Sequence, residues 1–123
     1  MKRAVYAAVG LVAVALGIAV IAGWHASWWQ FAVLAIAPDV TLVMGAAPGL
    51  HRGQLNPPAV PFYNAVHRLA VPAILIALTF LLHQNGWLAG GLAWAAHIAF
   101  DRSLGFGLRN AQGFQREPPR ATY

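Results

Sequence analysis

Four long apolar runs, at about 4–22, 28–44, 62–82 and 87–106, dominate this chain of 123 residues. Each approaches the ~20 residues that a helix needs to cross about 30 Å of hydrocarbon. Between the runs stand breaker segments, "GWHAS", "GAAPGLHRGQLNPPAVP" and "HQNG". Hydrophobic residues make up 59% of the chain and charged ones 9%, whereas a soluble domain carries about 25% charged residues. That balance argues against a disordered chain and against an ordinary soluble core. It predicts an all-α fold: a four-helix transmembrane bundle, occupying 1–123 as a single domain, with a polar tail over about 109–123.

The basic residues orient the bundle. Lys2 and Arg3 precede the first run, Arg52 lies in the middle loop, and Arg68 is near the start of the third run. Arg102, Arg109, Arg116 and Arg120 lie at or beyond the end of the fourth. The two short loops at 23–27 and 83–86 contain neither Lys nor Arg. By the positive-inside rule both termini are then cytoplasmic. Trp24, Trp28, Trp29 and Trp87 gather at the opposite face, as an interfacial belt would. The net charge of +5 is thereby accounted for by topology, with no need for nucleic acid. The partner that this composition calls for is the lipid bilayer of a cytoplasmic membrane, crossed several times. Nothing in the chain names a protein partner, and self-association stays open. The absence of cysteine excludes disulfides and thiolate metal sites. "MKR" followed by an apolar run and "HAS" has the outline of a signal peptide, but the run exceeds the usual 7–15-residue apolar region. Gly10, Ala13 and Gly17 also form a small-residue stripe suited to close helix packing, so the first run is expected to be a retained helix.

Against this background the polar residues inside the runs stand out. The chain has three acids, Asp39, Asp101 and Glu117, and two of them fall in apolar runs. A charge at a helix centre costs about 2.5–3.5 kcal/mol on insertion scales, so it needs a partner. Three runs supply candidates: Asp39 from the second, Asn64, His67 and Arg68 from the third, and His97, Asp101 and Arg102 from the fourth. At about 1.5 Å per residue, all lie roughly 5–15 Å below the cytoplasmic surface. His97 and Asp101, four residues apart, share a helix face, and Trp94 lies one turn earlier on it. Pro38 and Pro72 interrupt backbone bonding nearby and free carbonyls for a polar pocket.

Three readings of this cluster are open. Imidazoles and carboxylates are ligands for a zinc-like or manganese-like divalent metal. Asp39, His67, His97 and Asp101 would then be the ligands, with Asn64, Arg68 and Arg102 around them or clamping an anionic substrate, and the metal would activate water for hydrolysis. Alternatively the aspartates pair with Arg68 and Arg102 in a structural ion-pair network that does no chemistry. The third reading is a small transporter or proton pathway, although the opposite leaflet offers little polarity. No P-loop, dinucleotide fingerprint, nucleophile elbow or H-E-x-x-H motif occurs, so no enzyme class is indicated.

Three segments in order, "APDVTLVMG" (Ala37–Gly45), "YNAVHRLAVP" (Tyr63–Pro72) and "HIAFDRSLGFGLRNAQGFQ" (His97–Gln115), resemble a bacterial integral membrane family called domain of unknown function 4260. Its pattern is similar to P-D, then Y-N-x-x-H, then H-x-x-x-D-R-x-x-G-[YF]-G-L-[KR]. The resemblance covers about 28–115 and implies a four-helix protein of the bacterial inner membrane without an assigned activity. Ala46 stands where the family usually has an aromatic, and the loop at 45–61 looks longer and richer in proline. A fainter similarity, in the order P-D, histidine motif, H-x-x-x-D, is to membrane-bound metal-dependent hydrolases. Their middle motif carries paired histidines, where this chain has Asn64 and His67.

Overall fold

The apolar runs fold as helices, and the prolines inside them decide where two of those helices break. The structure, a computed structural model, describes residues 2–115. The end of the expected tail, with Arg116, Glu117 and Arg120, lies outside the described residues. Among the described residues the helices are α1 (Lys2–Gly23), α2 (Trp29–Ile36), α3 (Val40–Met44), α4 (Val60–Val66), α5 (Ala70–Leu81) and α6 (Asn85–Ser103). Single 3-10 turns at Ala37–Asp39 and Pro57–Ala59 lead into α3 and α4. The described residues contain no strand; an isolated antiparallel bridge joins Arg109 to Gln115.

The all-helical class is as expected, but the second and third runs are not continuous helices. α2 tightens into the 3-10 turn at Pro38, whose missing N–H and fixed φ remove one rung of the ladder. The third run stops at Val66 and restarts at Ala70, because the ring of Pro72 conflicts with the carbonyl four residues earlier, that of Arg68. Two stretches are long and apolar enough to cross a membrane: α1, and Pro57–Leu81 counted through its break. Trp29–Met44 is apolar but shorter.

The centre of the molecule is α6, which lies against α1, α2 and α5. It is the helix whose composition reads as least lipid-like, and it is the most enclosed. Leu88, Ala89, Gly90, Gly91, Ala93, Ala96, Ile98 and Ala99 are all buried. Small residues make this fit. A methyl group on Gly90 would lie 3.1 Å from the carbonyl oxygen of Gln30, so α2 and α6 approach nearly backbone to backbone. On α1, Gly10, Ala13 and Gly17 are the buried residues, and a Cβ at Gly10 would meet the Phe100 ring at 2.7 Å. The stripe of small residues is therefore a packing face. The outer faces stay apolar and uncovered: Val5, Val12 and Leu16 on α1, Val33 and Ile36 on α2, Ile74, Leu78 and Leu81 on α5. Trp24, Trp28, Trp29 and Trp87 are exposed at one end, where Trp29 and Trp87 meet edge-on at 5.3 Å.

At the other end the middle loop and the segment after α6 close on each other. Leu55, Ala59, Val60 and Tyr63 form a small core. The Leu55 N–H donates to the Gly113 carbonyl at 2.8 Å, and the Asn56 N–H to the Gly45 carbonyl at 2.8 Å. Gly113 has φ of +98°, and a side chain there would run into the backbone of Leu55, so only glycine fits.

Candidate metal centre

Each broken helix places one ligand-type side chain at its break. Asp39 closes the 3-10 turn after α2, and His67 is the first residue beyond α4. His97 and Asp101 come from adjacent turns of α6. These four groups converge. The Nε2 of His97 lies 3.1 Å from Asp39 Oδ1 and 3.3 Å from Asp101 Oδ2. The Nε2 of His67 lies 3.4 Å and 3.6 Å from the same two oxygens. All four atoms fall within 4.8 Å of one another.

The far side of each imidazole fixes its chemistry. His67 Nδ1 is 2.8 Å from the Tyr63 carbonyl, and His97 Nδ1 is 2.7 Å from the Ala35 carbonyl. A carbonyl only accepts, so in both rings Nδ1 carries the proton and donates. In the neutral ring Nε2 then presents a lone pair. Two such lone pairs face two carboxylate oxygens, an arrangement of four acceptors with no donor. It becomes favourable when a cation sits among them, or when both rings take a second proton. The donor set fits a divalent ion on three counts. The residue types are those of zinc-like sites. For metal–ligand bonds of about 2.0–2.2 Å, neighbouring corners of a tetrahedron lie about 3.3–3.6 Å apart, and the four N···O distances run from 3.1 to 3.6 Å. Two carboxylates also neutralise a 2+ ion, which suits a weakly polar interior.

The surroundings hold the rings rather than the carboxylates. His67 is 2% exposed and stacks on the Tyr63 ring at 3.9 Å, with planes 17° apart. The Arg109 guanidinium lies 4.7 Å over the same Tyr63 ring. The break before α5 leaves the carbonyls of Val66 and His67 without helical donors, and α6 supplies them. Trp94 Nε1 donates to Val66 at 2.7 Å, and Arg102 Nη2 donates to His67 at 3.2 Å. An unpaired buried carbonyl would cost about 1–3 kcal/mol. The side chain of Asp39 stays 46% exposed and that of Asp101 26%, so the cluster is reachable from outside.

Of the three residues expected around the ligands, Asn64 and Arg68 stand elsewhere, and Arg102 reaches His67 only through its backbone carbonyl. Asn64 does not reach the cluster: its amide pairs with the backbone of Arg109, accepting from the N–H at 2.8 Å and donating to the carbonyl at 2.9 Å. Arg68 is exposed. Among the described residues Arg102 meets no carboxylate; it caps the His67 carbonyl, with Tyr6 5.9 Å away. Among the described residues, the charge contacts of Asp39 and Asp101 are to histidines, so the expected arginine–aspartate pairing is not formed. Sequence reasoning expected freed carbonyls near Pro38 and Pro72 but not that Tyr63 and Ala35 would supply the acceptors, and it passed over Arg109. The carbonyls carry no side-chain signal. Arg109 read as a boundary charge, yet it donates to the Gly53 and Gly113 carbonyls at 3.0 and 2.8 Å.

Fold and site together define a helical protein with two helical stretches long and apolar enough to cross a membrane and a His/Asp cluster able to hold a metal ion. The chain belongs to the family described as domain of unknown function DUF4260, whose profile matches residues 4–117. No curated protein and no solved structure matches it.

Proposed function

We propose that this is a four-span protein of the bacterial cytoplasmic membrane, with both termini inside, that carries one divalent metal centre near the inner leaflet. Asp39, His67, His97 and Asp101 are the ligands. The observation that carries this reading is the matched pair of imidazoles. Each gives its Nδ1 proton to a backbone carbonyl and turns Nε2 toward the same two carboxylate oxygens. Metal-ligating histidines are oriented in this way by their second nitrogen. The membrane reading is supported by apolar outer faces on α1, α2 and α5 and by the tryptophans at the end away from the cluster. The shorter Trp29–Met44 and the less apolar α6 cross in this reading because α6 faces other helices rather than lipid. A half-exposed Asp39 favours a reachable centre over a sealed one, and if Asp39 swings away, the three remaining ligands leave the open fourth position at which such a metal activates water.

The test is elemental analysis of protein purified in a non-chelating detergent. Wild type is expected to carry about one zinc-group or manganese-group ion per chain. The double variant His97→Ala/Asp101→Ala should carry none, and Asp39→Asn should bind at least about tenfold more weakly. Arg68→Ala should match wild type. Wild-type protein that stays metal-free after incubation with zinc, manganese or iron(II) sinks the proposal. It would leave doubly protonated imidazoles clasping the two carboxylates as a structural element.

A further inference from the structure

A cleft of about 210 Å³ lies between α1, α2 and α6 and reaches two residues of the cluster. Val14, Phe31, Ala35, Ala93 and Phe100 are among its walls, and His97 and Asp101 are its polar residues. Its volume exceeds the roughly 150 Å³ of an apolar cavity that takes up benzene. Its walls are buried or half-buried residues between the three helices, next to the exposed apolar faces of α1 and α2. The approach to the candidate metal is therefore apolar, with His97 and Asp101 as its polar residues.

Resting on the metal reading above, we infer that the centre receives a membrane amphiphile, whose alkyl chain lies in this cleft and whose oxygen-bearing head reaches the metal beside His97 and Asp101. A small water-soluble ligand would gain nothing from Val14, Phe31 and Phe100. A single alkyl chain buries about 0.8 kcal/mol of transfer free energy with each methylene. An oxygen head suits the hard side of this donor set, and zinc-type centres with three protein ligands keep a position open for such a head. The exposed Asp39 is the ligand freest to yield room.

The experiment uses full-length protein in lipid nanodiscs, loaded with cobalt(II), whose visible absorption reports the ligand set. Two probes share one head, acetohydroxamate and octanohydroxamate. Both are titrated into wild type, Val14→Phe, which narrows the cleft, and Val14→Ala, which widens it. Val14, on α1, lines the cleft and is not one of the four ligand residues. The expected result is that Val14→Phe weakens octanohydroxamate by about tenfold, the worth of two methylenes, and leaves acetohydroxamate and cobalt content unchanged. Val14→Ala should keep the wild-type preference for the long chain. Comparing variants removes the general partitioning of a long chain into the bilayer. If cobalt binds but octanohydroxamate is equally tight in wild type and Val14→Phe, the cleft proposal is overturned and the metal reading stands. If cobalt does not bind, the metal reading fails, and this inference fails with it.

Discussion

At residues His67 and His97, one hydrogen bond decides what the other nitrogen can do. The Tyr63 and Ala35 carbonyls, 2.8 and 2.7 Å away, hold the Nδ1 protons and leave Nε2 to face Asp39 and Asp101. A metal needs Nε2 unprotonated, so protons compete with it. Affinity should fall as pH falls, by up to about tenfold per pH unit for each proton displaced. A competition assay with a chromophoric chelator at several pH values measures this. An affinity that does not change with pH would show that these nitrogens are not the ligands. Asn64 teaches a different lesson at the same scale. Its position beside His67 suggested a role in the cluster, yet a planar amide matches a backbone peptide unit, and Arg109 offered one.

Among the elements, the proline breaks tie helix geometry to the site. Pro38 and Pro72 do more than end helices: the carbonyls left over at the breaks become acceptors for His97, Trp94 and Arg102. Pro38→Ala should let α2 continue, so that the Asp39 N–H competes with His97 for the Ala35 carbonyl. Loss of an orienting contact of this type costs about 10–100-fold in metal affinity. Isothermal titration with zinc would read it, and an unchanged affinity would show that the break is dispensable. The small-residue faces make a separate prediction. Gly10→Val places branched carbons where the Phe100 ring stands and should destabilise the protein by about 1–3 kcal/mol, seen as earlier thermal unfolding in detergent. Gly23→Val, where a Cβ meets nothing within 4 Å, is the control.

For the whole molecule, the arrangement puts the least lipid-like helix in the middle. α6 carries His97, Asp101 and Arg102, and it is wrapped by α1, α2 and α5, whose outer faces are apolar. Polar groups inside a bundle avoid the cost of facing hydrocarbon. The topology can be checked directly, because the chain has no cysteine to confuse labelling. Gln84→Cys, in the exposed turn before α6, should react with a membrane-impermeant maleimide added to intact spheroplasts. Ala111→Cys, exposed in the segment after α6, should react only after lysis. The reverse pattern would invert the proposed orientation.

Much of this was legible in one dimension. Hydropathy marks helices because a backbone in an apolar run must satisfy its own hydrogen bonds. The i,i+4 spacing put His97 beside Asp101 because 3.6 residues make a turn. The isolated acids flagged Asp39 and Asp101 because uncompensated charge in an apolar stretch is costly. What the sequence could not settle was which partner each polar group takes. Arg102 and Arg68 looked like the natural counterions, yet Arg102 caps a carbonyl and Arg68 stays exposed. That choice depends on which carbonyls the proline breaks release and on how closely Gly90 and Gly91 let α6 approach its neighbours. Those are distances between segments far apart in the chain, and they exist only once the helices have packed.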